Sequence, residues 1–198
     1  MTYLGVLIDE QLNFKSHIDY VCGKVAKSVG VLYRLKNYVP LQTLKSLYYA
    51  FIGFPYLNYC NIIWGGTYSS HLQPLIVLQK KVIRIICNKP FNTHTKSLFF
   101  NNNILKLDDV YVYNVGIFMY KNQSLPIFSL NHNYYTRNQF SSNSVFQRLT
   151  STQRSLFFIG PKTWNRLPSC VKDSDNLAIF KTRLKSFLIS LYNSEPSI

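Results

Sequence analysis

The sequence has 198 residues, of which 47% are hydrophobic, so the chain can bury a core and is not wholly disordered. It carries 22 lysines and arginines against 8 acidic residues, and a net charge of +14 attracts polyanions such as nucleic acid or anionic lipid. The few carboxylates leave little material for acid–base or metal-dependent catalysis, and the length fits one domain or two small ones.

The predicted elements begin with a short β-strand over residues 3–9, where β-forming residues alternate weakly with others. From residue 16 to residue 38 the apolar spacing changes to that of an amphipathic helix. Its apolar side consists of Ile18, Val21, Cys22, Val25, Val29 and Leu32. Its opposite side carries Ser16, Tyr20, Lys24, Lys27, Arg34 and Tyr38. The helix therefore has one buried face and one basic, tyrosine-containing face.

A second helix is predicted after Pro40, over residues 41–51, and we expect Gly53 and Pro55 to stop or kink it. Residues 46–79 carry no formal charge, and the first part of this run is long enough to suggest a membrane span. Asparagines, tyrosine hydroxyls and Pro55 within it argue against burial in hydrocarbon. We therefore expect a buried helix–turn–helix instead, with a turn at the glycine pair 65–66.

Three further helices are predicted, over residues 72–87, 108–121 and 177–192. The apolar side of the first contains Leu75, Ile76, Val82, Ile83 and Ile86, and that of the last contains Leu177, Phe180, Leu184, Phe187, Leu188 and Leu191. Lys181 and Lys185 are expected on the outer side of the last helix. Residues 124–152 are polar and predict a long loop with short strands. The predicted fold class is mainly α.

Basic residues are unusually free of acidic neighbours in sequence. No aspartate or glutamate lies between Asp19 and Asp108, and a second acid-free stretch follows Asp109. On the third helix Lys80, Lys81 and Arg84 share one side. This pattern favours contact with nucleic acid, although a generic basic surface or a skewed base composition of the gene would produce it as well.

Residues able to support catalysis are few. Asp108 and Asp109 form the sole pair of adjacent aspartates, and paired aspartates can hold two metal ions. At the start of a helix the pair is explained better by the helix dipole. The histidines and cysteines lack the close spacing of metal ligands, and no glycine-rich phosphate loop is present. The four histidines are His17, His71, His94 and His132, expected at the surface or at helix caps. The sequence predicts no catalytic residue and no metal site.

Several segments resemble one known family. The opening YLGVLIDEQLNFKSHI, the stretches VCGKVAKSVGVLYRLKNYVP and LQKKVIRIIC, and the later GPKTWNRLPSCVKDSDNLAIFKTRLKSFL resemble the C-terminal part of reverse transcriptases of non-LTR (LINE-type, jockey-like) retrotransposons. The resemblance covers nearly the whole chain and is most specific at residues 78–86, with Trp64-Gly65, and at residues 160–168. One departure is Gly53-Phe54 before Pro55, which makes this turn longer by one residue than the usual pattern.

The resemblance implies a division into three parts. Residues 1–14 would end a palm-like, primer-grip-like strand, with Leu4 and Gly5 near the primer end. Residues 15–90 would form a helical thumb-like lobe, and residues 91–198 a C-terminal helical lobe containing the polar loop at 124–152. Such a thumb grips the backbone of a primer–template duplex. The residues expected to contact nucleic acid are Lys24, Lys27, Arg34, Lys80, Lys81, Arg84 and Lys89.

The resemblance also implies what this chain lacks. In the family, a Tyr-x-Asp-Asp hairpin of the palm holds the catalytic aspartates and Mg²⁺, and no segment here matches it. We therefore expect a fragment that binds an RNA/DNA duplex, has no cofactor and is not an enzyme by itself. The parent protein would be an RNA-directed DNA polymerase, whose palm and endonuclease domains are missing from this chain. Three alternatives stay open: a stand-alone enzyme of other chemistry, a basic membrane-surface protein, and an unrelated nucleic-acid-binding protein.

The cysteines and the opening residues bear on the compartment. Widely spaced cysteines (Cys22, Cys60, Cys87 and Cys170) indicate free thiols in a reducing environment. The opening MTYLGVLIDE lacks the basic segment and apolar run of a signal peptide. We therefore expect an intracellular protein of the nucleus or cytoplasm, not secreted and not embedded in a membrane.

Overall fold

The computed structural model describes residues 1–122 and 150–194 together with residue 148, and helices dominate these residues. The mainly α class predicted from the sequence is confirmed. The two strands are β1 (Thr2–Tyr3) and β2 (Val6–Leu7). The helices are α1 (Lys15–Leu35), α2 (Leu41–Tyr48), a π-helix (Tyr49–Asn58), α3 (Asn61–Trp64), α4 (Ser69–Ile86), α5 (Lys96–Asn102), α6 (Leu107–Lys121), α7 (Thr150–Gln153), α8 (Leu156–Arg166), α9 (Ser169–Lys172) and α10 (Leu177–Ser194).

The first segment is a small hairpin rather than the single strand predicted over residues 3–9. β1 and β2 pair antiparallel, with Tyr3 opposite Val6. Leu4 and Gly5 form the turn and have φ angles of 46° and 80°. A two-residue hairpin turn with positive φ at both positions matches the right-handed twist of its strands, so the chain reverses where the sequence pattern suggested continuation.

Helices α1 and α4 pack against each other and run in the same direction. At their N-terminal ends the Thr67 hydroxyl donates to the Asn13 carbonyl at 2.5 Å, and at their C-terminal ends Lys36 Nζ lies 3.4 Å from Asn88 Oδ1. The predicted apolar side of α1 is buried, apart from Cys22, which is half-buried. On α4 the predicted apolar side is likewise buried, apart from the half-buried Ile76. The apolar spacing thus located the facing sides of both helices.

The chain between α1 and α4 folds back along them through α2 and the π-helix. The predicted interruption at Gly53 and Pro55 takes the form of a wider helical turn, because the chain continues as a π-helix to Asn58. Pro55 has no N–H to donate, and the wider turn accommodates this loss inside a helical segment. The uncharged run is buried only in part: Ile52 and Trp64 are fully covered, whereas Phe54 and Ile63 are more than half exposed. No helix within residues 1–122 and 150–194 is long and apolar enough to cross a membrane.

Helices α6 and α10 pack antiparallel and form the centre of the second half of the structure. The Tyr120 hydroxyl near the end of α6 donates to the Ser174 carbonyl just before α10, at 2.6 Å. Midway, the helices approach so closely that a Cβ added to Gly116 would lie 2.8 Å from a methyl group of Leu184. Gly116 therefore permits this crossing. Helix α5 contacts α10, and α8 contacts α6.

Several predictions for this second half need correction. Leu191 is 42% exposed, whereas Ile189 and Tyr192 are buried, because α10 contacts α5, α6 and α9 rather than one neighbour. Lys181 and Lys185 are both half-buried rather than on the outer side. Helices α5 and α8 were not predicted, and α7 occupies the end of the predicted polar loop, whose residues 124–147 lie outside the described residues.

A single cluster of buried side chains extends from Val6 to Tyr192 and joins both halves. The polar side chain of Gln79 lies inside it. Its Nε2 donates to the Tyr48 hydroxyl at 3.0 Å and to the Leu105 carbonyl at 2.9 Å, and its Oε1 accepts from the Leu107 N–H at 2.9 Å. Gln79 thereby supplies the acceptor for the first N–H of α6, a group that has no partner within its own helix. The predicted division at residue 90 stays a prediction.

Candidate nucleic-acid interface

The basic side of α1 lies opposite its buried side. Lys27 and Arg34 are exposed, and Lys24 is half-buried. Lys24 Nζ lies 5.3 Å from the centroid of the Tyr20 ring, one turn earlier, and Tyr20 is 48% exposed. A helix rises 1.5 Å per residue, so Lys24 and Arg34 are separated by about 15 Å along the axis, which is enough to follow several phosphates of a nucleic-acid strand.

The basic residues of α4 lie in its C-terminal half. Lys81 is exposed, whereas Lys80 and Arg84 are half-buried. Arg84 Nε donates to the Thr93 carbonyl at 2.8 Å, and its guanidinium lies 5.9 Å from the ring centroid of Phe91. These contacts hold the guanidinium beside the turn that follows α4. Lys89, three residues beyond the end of the helix, is exposed.

The parallel arrangement of α1 and α4 places the two basic sets at similar heights. Asn13 lies beside Thr67 at one end, and Lys36 lies beside Asn88 at the other. Lys27 therefore lies near the level of Lys81, because each is separated from these end contacts by a similar number of residues. All seven predicted residues belong to the middle or C-terminal parts of this helix pair, or directly follow it.

Two further features of this region were not assigned to the interface from the sequence. Lys36 Nζ lies 4.8 Å from the centroid of the Tyr33 ring, and Tyr33 is 57% exposed. Phe91, beside Arg84, is 87% exposed. The aromatic–lysine spacing of three to four residues (Tyr33 with Lys36, Tyr20 with Lys24) is visible in the sequence and is typical of side-chain pairs on one helix face. Phe91 lies outside the helical spacing pattern, so its position beside Arg84 is visible only in the structure.

The predicted primer-end residues occupy the turn of the hairpin. Leu4 is 69% exposed, and its carbonyl accepts from the Tyr59 hydroxyl at 2.8 Å. This bond fixes the turn against the end of the π-helix. The structure therefore places Leu4 and Gly5 at an accessible point of the chain, on a different segment from the seven basic residues.

The carboxylate pair Asp108-Asp109 lies in the first turn of α6, as the sequence indicated. The Asp109 Oδ2 accepts a short hydrogen bond from the Tyr192 hydroxyl, and that hydroxyl also accepts from the Lys106 N–H at 3.0 Å. Burial, and then the nearby Asp109 carboxylate, raise the pKa of Tyr192. Among the described residues no group of three or more His, Cys, Asp or Glu could hold a metal ion.

His17 is buried, contrary to the expectation of a surface or capping histidine. It is 4% exposed, its Nδ1 accepts from the Leu7 N–H at 3.4 Å, and its ring meets Trp64 edge-on at 5.7 Å. Burial lowers the pKa of this imidazole, because the charged form would lose its hydration. His17 therefore joins the hairpin to the core.

The exposed sides of α1 and of α4 can thus each offer cations to phosphates and exposed rings to sugars or bases. Exposed ammonium and guanidinium groups are sufficient for salt-sensitive binding to a polyanion, because they replace the counterions condensed on its phosphates. The comparisons with known proteins add nothing to this geometry: no protein-family model, no curated protein and no solved structure matches this chain.

Proposed function

We propose that this chain binds the backbone of a nucleic-acid duplex, as the thumb and downstream part of a non-LTR retrotransposon reverse transcriptase. The observation that supports the proposal is the placement of Lys27, Arg34 and Lys81 on exposed sides of two parallel, packed helices. The sequence resemblance supplies the family. The long acid-free stretch supports a polyanionic partner, because no carboxylate between Asp19 and Asp108 competes for these cations.

In this proposal the lysines and arginines hold phosphates without reading the base sequence. Exposed rings of Tyr20, Tyr33 and Phe91 add stacking contacts that tolerate any base. DNA synthesis belongs to the parent polymerase, whose palm would supply the aspartates and Mg²⁺. The partners are therefore an RNA/DNA duplex and the missing palm domain, and the chain alone has no polymerase activity.

The proposal is tested by fluorescence anisotropy with a short RNA–DNA duplex and two matched triple variants. Lys27→Gln, Lys81→Gln and Lys89→Gln together remove exposed cations of the proposed surface. Lys121→Gln, Lys162→Gln and Arg166→Gln together remove the same number of exposed cations elsewhere. We expect the first variant to lose roughly 100-fold in affinity at low salt and the second to lose much less. Equal losses would show that only net charge matters, and would contradict the proposed surface.

Two further measurements separate this proposal from its alternatives. Flotation with vesicles containing anionic lipid should show weaker retention than duplex binding at the same salt concentration. Stronger retention on vesicles would favour a membrane-surface protein. Primer extension by the purified chain should yield no product, and extension that survives repurification would show that the chain is itself a polymerase.

A further inference from the structure

A cavity of about 560 Å³ is lined by residues of the π-helix, the segment joining α5 to α6, α6 and α10, and by none of the seven predicted basic residues. Its walls are mainly apolar and aromatic, and they include Tyr49, Phe54, Leu57, Leu105 and Tyr113. This volume lies within the range of small-molecule sites in proteins, roughly 300–1,000 Å³.

One charged side chain, Lys185 of α10, lines this cavity, and no described lining residue is acidic. Lys185 is half-buried, and this partial burial lowers the pKa of its ammonium group. Burial likewise raises the pKa of the Tyr49 and Tyr113 hydroxyls in the same walls. A cation facing apolar walls is stabilised by an anion that brings its own apolar body.

We infer that this cavity binds a small amphiphilic carboxylate, whose carboxylate pairs with Lys185 and whose hydrocarbon or aromatic part lies against Tyr49, Phe54 and Leu57. The inference goes beyond nucleic-acid binding and does not depend on it. A neutral ligand of the same shape would gain the apolar contacts but would leave the ammonium group without a counter-charge. An aliphatic amine would bring two positive charges together and would be excluded.

The test is calorimetric titration of the full chain with octanoate, octanol and octylammonium as probes. We expect octanoate to bind about tenfold or more tightly than octanol, and octylammonium not to bind. Lys185→Met should abolish the preference for octanoate over octanol, and Lys185→Arg should retain it. Lys181→Met is the matched control, one helical turn earlier on α10, and should leave octanoate binding unchanged.

The inference would be overturned by the absence of octanoate binding, by equal binding of octanoate and octanol, or by unchanged octanoate binding in Lys185→Met. An equal loss in Lys181→Met would also overturn it, since that result would reflect general charge. Circular dichroism shows whether each variant folds. If Lys185→Met does not fold, the NMR signal of the Lys185 ε-carbon in the unaltered chain decides, because it should shift with octanoate and not with octanol.

Discussion

Gln79 shows how one polar side chain organises the centre of this molecule. It is 2% exposed and bonds to α2, to the segment preceding α6 and to the first N–H of α6. Burying an amide costs little free energy when all its polar atoms form hydrogen bonds. Removing the amide would leave its three partners buried without a hydrogen bond. The sequence shows Gln79 on an otherwise apolar helix side, but it does not show which groups the amide would meet.

Gln79→Leu should therefore lower the free energy of unfolding by about 3 kcal/mol, because a buried hydroxyl, a carbonyl and an N–H lose their partner. Urea denaturation followed by circular dichroism measures the change. Gln73→Leu is the matched control on the exposed side of α4 and should change stability by less than about 0.5 kcal/mol. A similar small effect for both variants would contradict the structural role of Gln79.

His17 makes stability depend on pH. Its pKa is lowered from 6.5 by burial, so the unfolded chain binds the proton more readily than the folded chain. The free energy of unfolding should have its full value above about pH 6.5 and should decrease as the pH falls through that value. Urea midpoints at about pH 8 and about pH 5.5 measure the decrease.

The contribution of His17 is separated from that of other groups by substitution. His17→Gln should reduce the difference between the two midpoints, because the titrating ring is gone. His94→Gln, at an exposed position, should leave the difference unchanged. An undiminished difference in His17→Gln would show that other residues cause the pH dependence.

At the scale of elements, the antiparallel pair α6 and α10 is fastened at the start of α6. The Tyr192 hydroxyl donates to Asp109 and accepts from the Lys106 N–H, and Lys106 Nζ lies 4.1 Å from the Tyr192 ring centroid. Tyr192 thus meets two residues, Lys106 and Asp109, that lie 86 and 83 positions earlier in the sequence. Asp109, which resembles half of a metal-binding pair in the sequence, instead accepts a hydrogen bond between helices.

Tyr192→Phe keeps the ring and removes the hydroxyl, so the free energy of unfolding should fall by about 2 kcal/mol. Amide hydrogen exchange should accelerate in the first turn of α6. Tyr20→Phe, on the exposed side of α1, is the control and should change neither quantity. Unaltered exchange in α6 for Tyr192→Phe would show that packing alone holds this helix end.

The sequence predicted α1 and α4 well because each buries one continuous stripe, which produces a clear 3.6-residue period. Helix α10 packs against α5, α6 and α9, so its buried side is broader than one stripe, and Lys181, Lys185 and Leu191 were misplaced for that reason. The hairpin depends on the φ angles of Leu4 and Gly5, which apolar alternation does not encode. For the candidate interface, the sequence shows which helices carry the basic residues, whereas it did not predict the parallel pairing of those helices.

At the scale of the whole molecule, charge and hydrophobic core have separate roles. One buried cluster joins the two halves, while the basic residues of α1 and α4 lie outside it or at its border. Losing exposed lysines should therefore weaken nucleic-acid binding without changing stability. The triple variant at Lys27, Lys81 and Lys89 should keep the urea midpoint of the unaltered chain within error, and a large decrease would mean that these side chains are structural.

The central claim is that phosphates are held by this set of cations, and the salt dependence of duplex binding tests it most directly. If about six phosphates are engaged, raising the salt concentration from roughly 50 to 200 mM should weaken binding on the order of 10³-fold. In the triple variant the slope of log affinity against log salt should be shallower by about 2.7, because three contacts are lost. An affinity that does not change with salt, or a variant slope equal to that of the unaltered chain, would contradict the account.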